Sequence, residues 1–497
     1  MVRASGVLLP IFSLPSKYGI GTLGEAAYKF IDTLKKSKQS YWQVLPVNTT
    51  SFGNSPYSSI SCFSGNPLFI DLDELALDGL IDKSEYDNIS FGDDKNKIDY
   101  DKLSLLKMPL LKSAALRLIK KFKNEFNEFV DKYSFYLNDY ALFCVLKDKY
   151  HGKSFVEWDD EYKYKNINAI DDFYKSNKKE IECYQALQYM FYKQWFKLKK
   201  YANDNGIKII GDMPIYSAYD SCDVWSNPSI YQLNDDLTRI EVSGCPPDGF
   251  SEDGQLWGNP LYNYEYIEND GFKYFIEKFR FLFSIYDIIR IDHFRGFESY
   301  YAIDSKMTNA KVGQWKIGPG TKLFDALKTN LPNAEFIAED LGFLTDSVHK
   351  LLAYTNFPGM KVMEFGFNHF DKENTMYLPH TYIENSVAYL GTHDNNTFIG
   401  WLNEISKEDF EYVKEYLLLK NPASYHLDAL YALYNSKSYL AIVMPQDILA
   451  KDSSARINTP GIVSDNNWSY RFVDSDFDDN FVYLLKTLTI STNRSSI

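Results

Sequence analysis

Eight short apolar runs rich in β-branched residues recur along the chain, and several are separated by stretches with helical periodicity. Each run ends in polar, glycine or proline residues, as strands commonly do. Near-continuous apolar strands that alternate with helices are typical of a parallel sheet covered on both faces. Eight such strands predict a closed (β/α)8 barrel, or TIM barrel, although the pattern also fits an open doubly wound sheet. The runs span 6–12, 41–47, 207–215, 287–294, 334–342, 360–367, 386–394 and 439–447.

The segment between the second and third runs, about 48–206, is too long to be a simple connection. It contains two long helical patterns, at 103–133 and 182–205. We predict a large, mainly helical subdomain inserted in the barrel, which forms one wall of a substrate cleft. Residues 1–497 otherwise form a single catalytic domain. The chain after Phe472 predicts a closing helix followed by a frayed tail.

The composition narrows the class of protein. The formal net charge of −14 argues against a nucleic-acid partner, because phosphate binding requires a basic surface. The five cysteines include no CxxC pair, so neither a structural zinc site nor a disulfide framework is expected. No apolar stretch approaches the ~18 residues of a membrane span, and residues 1–19 read as a buried strand rather than a signal peptide. We therefore expect a cytoplasmic protein with no membrane partner.

A carboxylate stands at the C-terminal end of four predicted strands. Asp212 follows IKIIG, Asp292 follows IIRI, Glu339 ends EFIAE and Asp394 follows AYLGTH. In a barrel these strand ends meet at one mouth, the face where the active sites of this fold lie. A single acid after a strand is commonplace, since loops are polar. Four of them, two beside a histidine, predict a catalytic site.

Two of these carboxylates suit the chemistry of glycosidic bonds. One carboxylate must be ionised to attack the anomeric carbon, while the other must be protonated to donate to the leaving oxygen. Arg290 shares a strand face with Asp292, and its charge is expected to lower the pKa of Asp292. Glu339 follows three apolar residues, which are expected to raise its pKa and suit an acid/base. A structural Arg–Asp pair and a salt-bridged Glu are the alternatives.

His293 and His393 adjoin two of the acids, but no HxH or HExxH motif is present. We therefore expect no metal at the site and assign both histidines to hydrogen bonds with sugar hydroxyls. Residues 19–24 contain the spacing G-x-G-x-x-G, yet Pro15 separates them from the preceding strand and no ribose-binding acid follows the next strand. No cofactor is expected.

Long motifs run through nearly the whole chain in one order. They are NSPYSSISCFSGNPLFIDL (54–72), GDMPIY (211–216), PPDGFSEDGQLWGNPLYN (246–263), RIDHFRGF (290–297), AEDLG (338–342), GTHDN (391–395) and ARINTPG (455–461). On these motifs the sequence resembles the amylomaltases, which are 4-α-glucanotransferases, or disproportionating enzymes, of the α-amylase clan. Residues 447–455 depart from the family's glycine-rich pattern, which puts in doubt any remote sugar subsite there.

The resemblance implies specific roles. Asp292 corresponds to the nucleophile, Glu339 to the general acid/base and Asp394 to the transition-state stabiliser. The stretch 246–260 resembles a mobile lid on the acceptor side. The residues implied to bind substrate are Asp212, Arg290, His293 and His393 around the cleaved sugar, Tyr57 and Trp257 as aromatic walls, and Phe250 on the lid.

The leading hypothesis is a retaining transglycosylase that transfers α-1,4-glucan segments between malto-oligosaccharides through a covalent glycosyl-aspartate, with glucose as an acceptor. A plain α-1,4-glucan hydrolase is the alternative within the same clan, because the same carboxylates serve both reactions. A metal-dependent barrel hydrolase is disfavoured by the missing HxH motif. A catalytically silent glucan-binding protein is disfavoured because binding alone needs no such set of acids.

Overall fold

Eight parallel strands close into a barrel in the computed structural model, which describes residues 2–247, 252–342, 344–368 and 372–495. The strands, numbered in chain order, are β1 Ala4–Leu8, β2 Tyr41–Gln43, β3 Lys208–Met213, β4 Glu241–Cys245, β5 Gln255–Pro260, β6 Ile288–Ile291, β7 Ser299–Asp304, β8 Gln314–Ile317, β9 Phe336–Ala338, β10 Gly359–Val362, β11 Ser386–Tyr389 and β12 Leu440–Val443. Strands β1, β2, β3, β6, β9, β10, β11 and β12 follow one another around the barrel, and β12 pairs with β1 to close it. The predicted (β/α)8 barrel is confirmed, and the open sheet is excluded.

Each of the eight predicted runs supplies one barrel strand, but the strands are shorter than the runs. Strand β6 ends at Ile291 and β9 ends at Ala338, so Asp292 and Glu339 are the first residues beyond their strands. The residues of both strands are buried, as a sheet covered on both faces requires. The apolar pattern therefore locates the strands, while the polar residues after them form the barrel mouth.

The helices pack around the barrel and between its strands. Helix α1 illustrates the reason, because its buried residues Ala27, Phe30, Ile31 and Leu34 recur at helical spacing and face the core. The helices are α1 Glu25–Lys36, α2 Leu72–Leu77, α3 Tyr100–Lys121, α4 Lys123–Lys132, α5 Ser134–Lys149, α6 Asp160–Lys163, α7 Ile167–Ser176, α8 Lys178–Asp204, α9 Cys222–Ser226, α10 Tyr264–Asn269, α11 Lys273–Ile285, α12 Thr321–Asn330, α13 Asp346–Thr355, α14 Phe398–Glu404, α15 Lys407–Tyr416, α16 Tyr425–Asn435, α17 Pro445–Ile448 and α18 Asp479–Ser491.

Helices α2 to α8 lie between β2 and β3, and α8 packs against both α3 and α5. Trp195 of α8 is fully buried, and its indole N–H donates to the carbonyl of Ile285 at 2.9 Å. The apolar side chains of these helices belong to the same continuous core as the barrel strands. The division into a catalytic domain and an inserted subdomain at about 48–206 stays a prediction.

A second sheet was not predicted from the sequence. Strands β5, β4, β7 and β8 form, in that order, an antiparallel sheet beside the barrel. Strand β4 ends just before the segment 246–260 that the sequence motifs identified only as a lid, and β5 forms the last part of that segment. The residues of the edge strand β8 are mostly exposed, so no continuous apolar run marked it as a strand.

The C-terminal segment closes the barrel. Helix α18 packs against α1 and α16, as the expected closing helix should. The expected frayed tail is wrong up to Ser495, because the Arg494 side chain is fully buried and donates to the carbonyls of Ala4, Tyr434 and Ser436. Within the described ranges, none of the helices combines the length and apolar character needed to traverse a bilayer.

Candidate active site

The register of the parallel strands brings the predicted acids together. Asp212 lies opposite Arg290 in the pairing of β3 with β6. Ile291 lies opposite Ala338 in the pairing of β6 with β9, so the next residues, Asp292 and Glu339, emerge side by side. Neighbouring strands are about 4.8 Å apart, which sets the scale of the separation between the two backbones.

Arg290 is the centre of the site. Its Nη1 donates to both oxygens of Asp212 at 2.7 Å and to Asp292 Oδ1 at 3.2 Å. Its Nη2 lies 3.4 Å from Glu339 Oε2. The Arg290 side chain is 4% exposed and that of Asp212 is fully buried, whereas those of Asp292 and Glu339 are 27% and 19% exposed. One guanidinium therefore holds a buried structural acid and two acids that water and substrate can reach.

The backbone after β6 also holds Glu339. His293 adopts a left-handed conformation with φ of 50°, which is uncommon for a residue with a side chain. Its N–H donates to Glu339 Oε2 at 2.6 Å, and the N–H of Phe294 donates to the carbonyl of Glu339 at 3.1 Å. The strained turn thus fixes the carboxyl through a backbone donor, as is often found at functional sites.

Tyr57 connects the buried acid to His393. Its hydroxyl donates to Asp212 Oδ2 at 2.5 Å and lies 2.9 Å from His393 Nε2, and the two rings stack with centroids 5.3 Å apart. Burial, followed by the charge of Asp212, raises the pKa of Tyr57 well above its usual value, so the phenol keeps its proton. Since that one proton is donated to Asp212, His393 Nε2–H must be the donor towards Tyr57.

Both histidines are neutral near pH 7. Burial, followed by the charge of Arg295, lowers the pKa of His293 to about 4. Burial also lowers the pKa of His393, although Asp394 opposes the shift. The ring of His293 meets the edge of the Trp257 indole, with centroids 4.9 Å apart. Neutral imidazoles and an aromatic ring suit a neutral, hydroxyl-rich ligand.

The two exposed acids have raised pKa values. Burial, followed by the charge of Glu339, raises the pKa of Asp292 well above the ordinary aspartate range, although Arg290 opposes this. The expectation that Arg290 lowers the pKa of Asp292 is wrong in net direction, because burial and the neighbouring Glu339 outweigh the charge of Arg290. Burial raises the pKa of Glu339, as expected. Because the two like charges lie side by side, simultaneous ionisation of both acids is disfavoured.

Asp394 is held by His393 and by two residues, Asn458 and Arg456, to which the sequence motifs assigned no role. Its Oδ2 lies 3.3 Å from His393 Nε2, and its Oδ1 accepts from Asn458 Nδ2 at 2.6 Å. Arg456 Nη2 donates to the carbonyl of Asp394 at 2.9 Å. Trp468 packs near the rings of Tyr57 and His393. Asn458 and Arg456 belong to the motif ARINTPG, so their place in a long motif was the available signal.

The predicted substrate-binding set is brought together with one exception. Tyr57, Asp212, Trp257, Arg290, His293 and His393 form one connected network with the three predicted catalytic acids. Phe250 lies outside the described residues. Across the described ranges, no group of three or more His, Cys, Asp and Glu side chains is arranged to hold a metal ion.

Adjacent, coupled carboxyl groups at the C-terminal mouth of a (β/α)8 barrel are typical of enzymes that act on glycosidic bonds. The family model described as 4-alpha-glucanotransferase matches residues 9–475, and the chain belongs to this family. The resemblance inferred from the motifs is therefore confirmed, and the transferase class is supported rather than the hydrolase.

Individual relatives agree with this assignment. A 4-alpha-glucanotransferase of Clostridium butyricum is 44% identical over 96% of this chain and 98% of its own length. One from Aquifex aeolicus is 39% identical over 98% of this chain and 99% of its own. The solved amylomaltase of Streptococcus agalactiae in complex with acarbose superposes with a TM-score of 0.96, at 40% identity and 99% coverage of both chains.

Proposed function

We propose that this 4-α-glucanotransferase works by a retaining double displacement in which Asp292 is the nucleophile and Glu339 the general acid/base. The observation that carries the proposal is the pairing of both carboxyl groups with the two ends of one guanidinium, at 3.2 and 3.4 Å. Retaining enzymes need their two carboxyl groups about 5–5.5 Å apart, whereas inverting enzymes need about 6.5–9.5 Å. Adjacent strands carrying adjacent acids favour the shorter separation.

In the first step, an oxygen of Asp292 bonds to the anomeric carbon while the bond from that carbon to the leaving 4-oxygen breaks. Glu339 gives its proton to that oxygen, so the shortened glucan leaves with a 4-hydroxyl. In the second step, Glu339 takes the proton from the 4-hydroxyl of an acceptor, whose oxygen displaces Asp292. One glycosidic bond is broken and one is made, and the anomeric configuration is retained.

The protonation of the pair follows from the roles proposed. Double displacement requires an ionised nucleophile and a protonated acid, so we assign the proton of the pair to Glu339. Arg290 donates to Asp292, which favours the ionised form of the nucleophile. The N–H of His293 donates to Oε2 of Glu339, which leaves Oε1 free to carry the proton. The negative Asp292 and Asp394 then face the positive charge that develops on the sugar ring, which lowers the barrier.

Asp394 is proposed as the stabiliser of the transition state. Its side chain is 44% exposed to the cleft, while Asn458 fixes one of its oxygens. His293 and His393 donate to or accept from sugar hydroxyls, and Asp212 supports the site through Arg290 and Tyr57. Trp257 and Tyr57 provide the aromatic faces for the sugar at the cleaved bond and its neighbour.

The proposed substrates are malto-oligosaccharides and longer α-1,4-glucans, with glucose as an acceptor. The related Streptococcus agalactiae enzyme has been solved with acarbose, which supports a site for such oligosaccharides. Transfer wins over hydrolysis only if an acceptor sugar is better positioned than water. We assign this protection to the lid at 246–260, with Phe250 as its aromatic contact. The described cysteines are free thiols, as is usual in a reducing compartment, and we place the enzyme in the cytoplasm.

The nucleophile can be identified by trapping. Glu339→Gln lacks the base that activates the acceptor, so an activated glucosyl donor should leave a covalent adduct on Asp292. Peptide mass spectrometry of the digested enzyme locates the adduct. The matched control is the double variant Asp292→Asn/Glu339→Gln, which should carry none. An adduct on Asp394 in either variant would overturn the assignment of roles.

A second assay tests the balance between transfer and hydrolysis. With maltotriose alone, the enzyme should form glucose and a ladder of longer glucans, while the number of reducing ends stays nearly constant. Chromatography of the products and a reducing-end assay measure the two quantities. Steadily rising reducing ends, with no product longer than maltotriose, would contradict the proposed transfer.

A further inference from the structure

The third nitrogen of the Arg290 guanidinium has a partner that the proposed mechanism does not use. Nε of Arg290 donates to the sulfur of Met360 at 3.4 Å, and both side chains are buried. Met360 lies on β10, and β9 lies between this strand and β6, which carries Arg290. A thioether sulfur is a weak acceptor of hydrogen bonds and carries no charge. Met360 is therefore an uncharged acceptor beside a cluster of carboxyl groups.

The backbone of Met360 is fixed by the residue that follows Glu339. The N–H of Met360 donates to Oδ1 of Asp340 at 2.6 Å, and this bond is buried. The chain approaches Asp340 closely here, because a Cβ atom on Gly359 would lie 2.5 Å from Oδ2 of Asp340. The sulfur is thus presented to Arg290 from a backbone that is itself held beside the proposed acid/base.

The contact with sulfur restricts how the guanidinium can rotate. A guanidinium is planar, and its five N–H groups form a fork of fixed geometry. Nη1 is directed at Asp212 and Asp292, Nη2 lies near Glu339, and the acceptor at Nε holds the same plane from another direction. A carboxylate in place of the sulfur would add a negative charge near Asp292, whereas an aliphatic side chain would leave a buried N–H unpaired. An uncharged acceptor avoids both penalties.

We propose that Met360 is a positioning residue of the transfer reaction, which holds the guanidinium of Arg290 in the orientation that serves Asp292 and Glu339. The inference rests on the proposed function, because these two acids are its nucleophile and its acid/base. Without the sulfur, the guanidinium can turn towards Asp212, to which Nη1 makes its two shortest contacts at 2.7 Å. The contacts with Asp292 and Glu339, at 3.2 and 3.4 Å, are longer and are the ones that should weaken.

Met360→Leu tests the proposal, because it removes the sulfur and nearly conserves the volume of the side chain. With maltotriose as substrate, kcat should fall by roughly 2- to 12-fold, the range expected for one hydrogen bond. Met360→Gln offers an uncharged amide oxygen on an unbranched side chain of similar length. It should therefore restore part of the lost kcat.

The pH profile of kcat/KM gives a readout that a merely structural role would not move. Burial, followed by the charge of Glu339, raises the pKa of Asp292, and Arg290 opposes the shift. The charges of Asp212 and Asp394 also raise this pKa. A weaker contact with Arg290 raises it further, and activity requires an ionised Asp292. The acid limb of Met360→Leu should therefore lie at higher pH than that of the wild type, and Met360→Gln should return it towards the wild-type position.

Met190→Leu is the matched control, because Met190 is also buried but lies on helix α8 rather than on a barrel strand, so kcat and the acid limb should not change. Thermal melting followed by circular dichroism separates a loss of folded enzyme from a loss of rate. An unchanged kcat in folded Met360→Leu, or a loss of kcat with the acid limb of the wild type, would overturn the inference. A Met360→Gln variant that melts like Met360→Leu but leaves the limb displaced would also overturn it. If trapping in Glu339→Gln failed to label Asp292, the proposed function would fall instead.

Discussion

The barrel mouth and the second sheet both contact the turn after Asp292, the mouth through buried charges and the sheet through exposed aromatic rings. At the mouth, the side chains of Arg290 and Asp212 are at most 4% exposed and are held by short, charge-assisted hydrogen bonds. On the sheet, Trp257 and Trp315 are 37% and 41% exposed and offer apolar surface. Buried, paired charges hold the proposed catalytic carboxyl groups in fixed positions, whereas the exposed rings leave apolar surface open to solvent. The two regions therefore differ in whether they present charge or apolar surface beside this turn.

The sharpest test of this contrast is the removal of one aspartate from each region. Asp292→Asn removes the proposed nucleophile, so turnover with maltotriose should fall by at least ~10⁴-fold, as for other enzymes that lose a central catalytic group. Asp304→Asn changes an exposed residue at the end of β7 and should stay within about 2-fold of wild type. Initial rates of glucose release measure both. Comparable losses of turnover in the two variants would contradict the proposal that the chemistry takes place at the barrel mouth.

The two regions should also differ in what an arginine contributes to folding. Arg290→Gln leaves buried carboxylates without their partner, so the free energy of unfolding should drop by about 3–5 kcal/mol. Arg239→Gln removes one hydrogen bond to the carbonyl of Gly258 in the sheet and should cost about 1 kcal/mol. Urea unfolding followed by circular dichroism compares the two.

Arg290→Gln has a further consequence for the pH dependence of activity. Arg290 lowers the pKa values of Asp292 and Glu339, so its loss raises both. Activity requires an ionised Asp292 and is lost as pH falls through that pKa. The residual activity of Arg290→Gln should therefore have a kcat/KM profile whose acid limb lies at higher pH than that of the wild type. A limb that moved to lower pH would contradict the assigned role of Arg290.

A smaller loss is expected at Asn458, which the sequence did not identify. Asn458→Ala removes the hydrogen bond to the charged Asp394, worth about 1.5–3 kcal/mol, so kcat should fall roughly 10- to 150-fold. Because Asn458 acts through Asp394, the loss should appear in kcat more than in KM. Asn466→Ala, which removes an exposed partner of Lys97, is the control and should change neither constant. A loss confined to KM would place Asn458 in substrate binding instead.

The smallest effect concerns the proposed lid at 246–260. Phe250→Ser should raise the ratio of hydrolysis to transfer by roughly 2- to 10-fold, because one aromatic contact with the acceptor is lost. Ile240→Ser, an exposed apolar residue just before β4, is the control and should leave the ratio unchanged. Reducing ends formed per molecule of glucose released give the ratio. If the ratio of hydrolysis to transfer is unchanged in Phe250→Ser, Phe250 does not protect the intermediate from water.

Much of the fold was predictable because its signal is local. The near-continuous apolar runs located all eight barrel strands, and the polar residues after them located the mouth. The second sheet was missed because β8 is mostly exposed and β4 is only five residues long, so neither carries a pattern that stands apart from a loop. Strand β4 is fixed by its pairing with β7, more than fifty residues further along the chain, and β8 is fixed by its pairing with the same strand.

The candidate site also has one part that local sequence predicts and another that depends on contacts between distant residues. Asp292, Glu339 and Asp394 could be proposed because each ends an apolar run within a long motif. The contact from Asn458 to Asp394 spans 64 residues and that from Tyr57 to His393 spans 336, and no local pattern encodes either. The net direction of the pKa of Asp292 was wrong for the same reason. The adjacent arginine is visible in the sequence, whereas the burial of Asp292 and the position of Glu339 beside it depend on the tertiary structure.

The sequence by itself determined the barrel, the identity of the acids at its mouth and the membership of the glucanotransferase family. Hydrophobic periodicity and composition are properties of neighbouring residues, so the sequence shows them directly. Eight parallel strands that are buried on both faces favour closure into a barrel covered by helices. Only the tertiary structure decided that one guanidinium serves Asp212, Asp292 and Glu339 together. It also decided that an exposed sheet stands beside them. Electrostatic energies depend on distances in space, and closure of the barrel is what makes residues distant in the chain into neighbours.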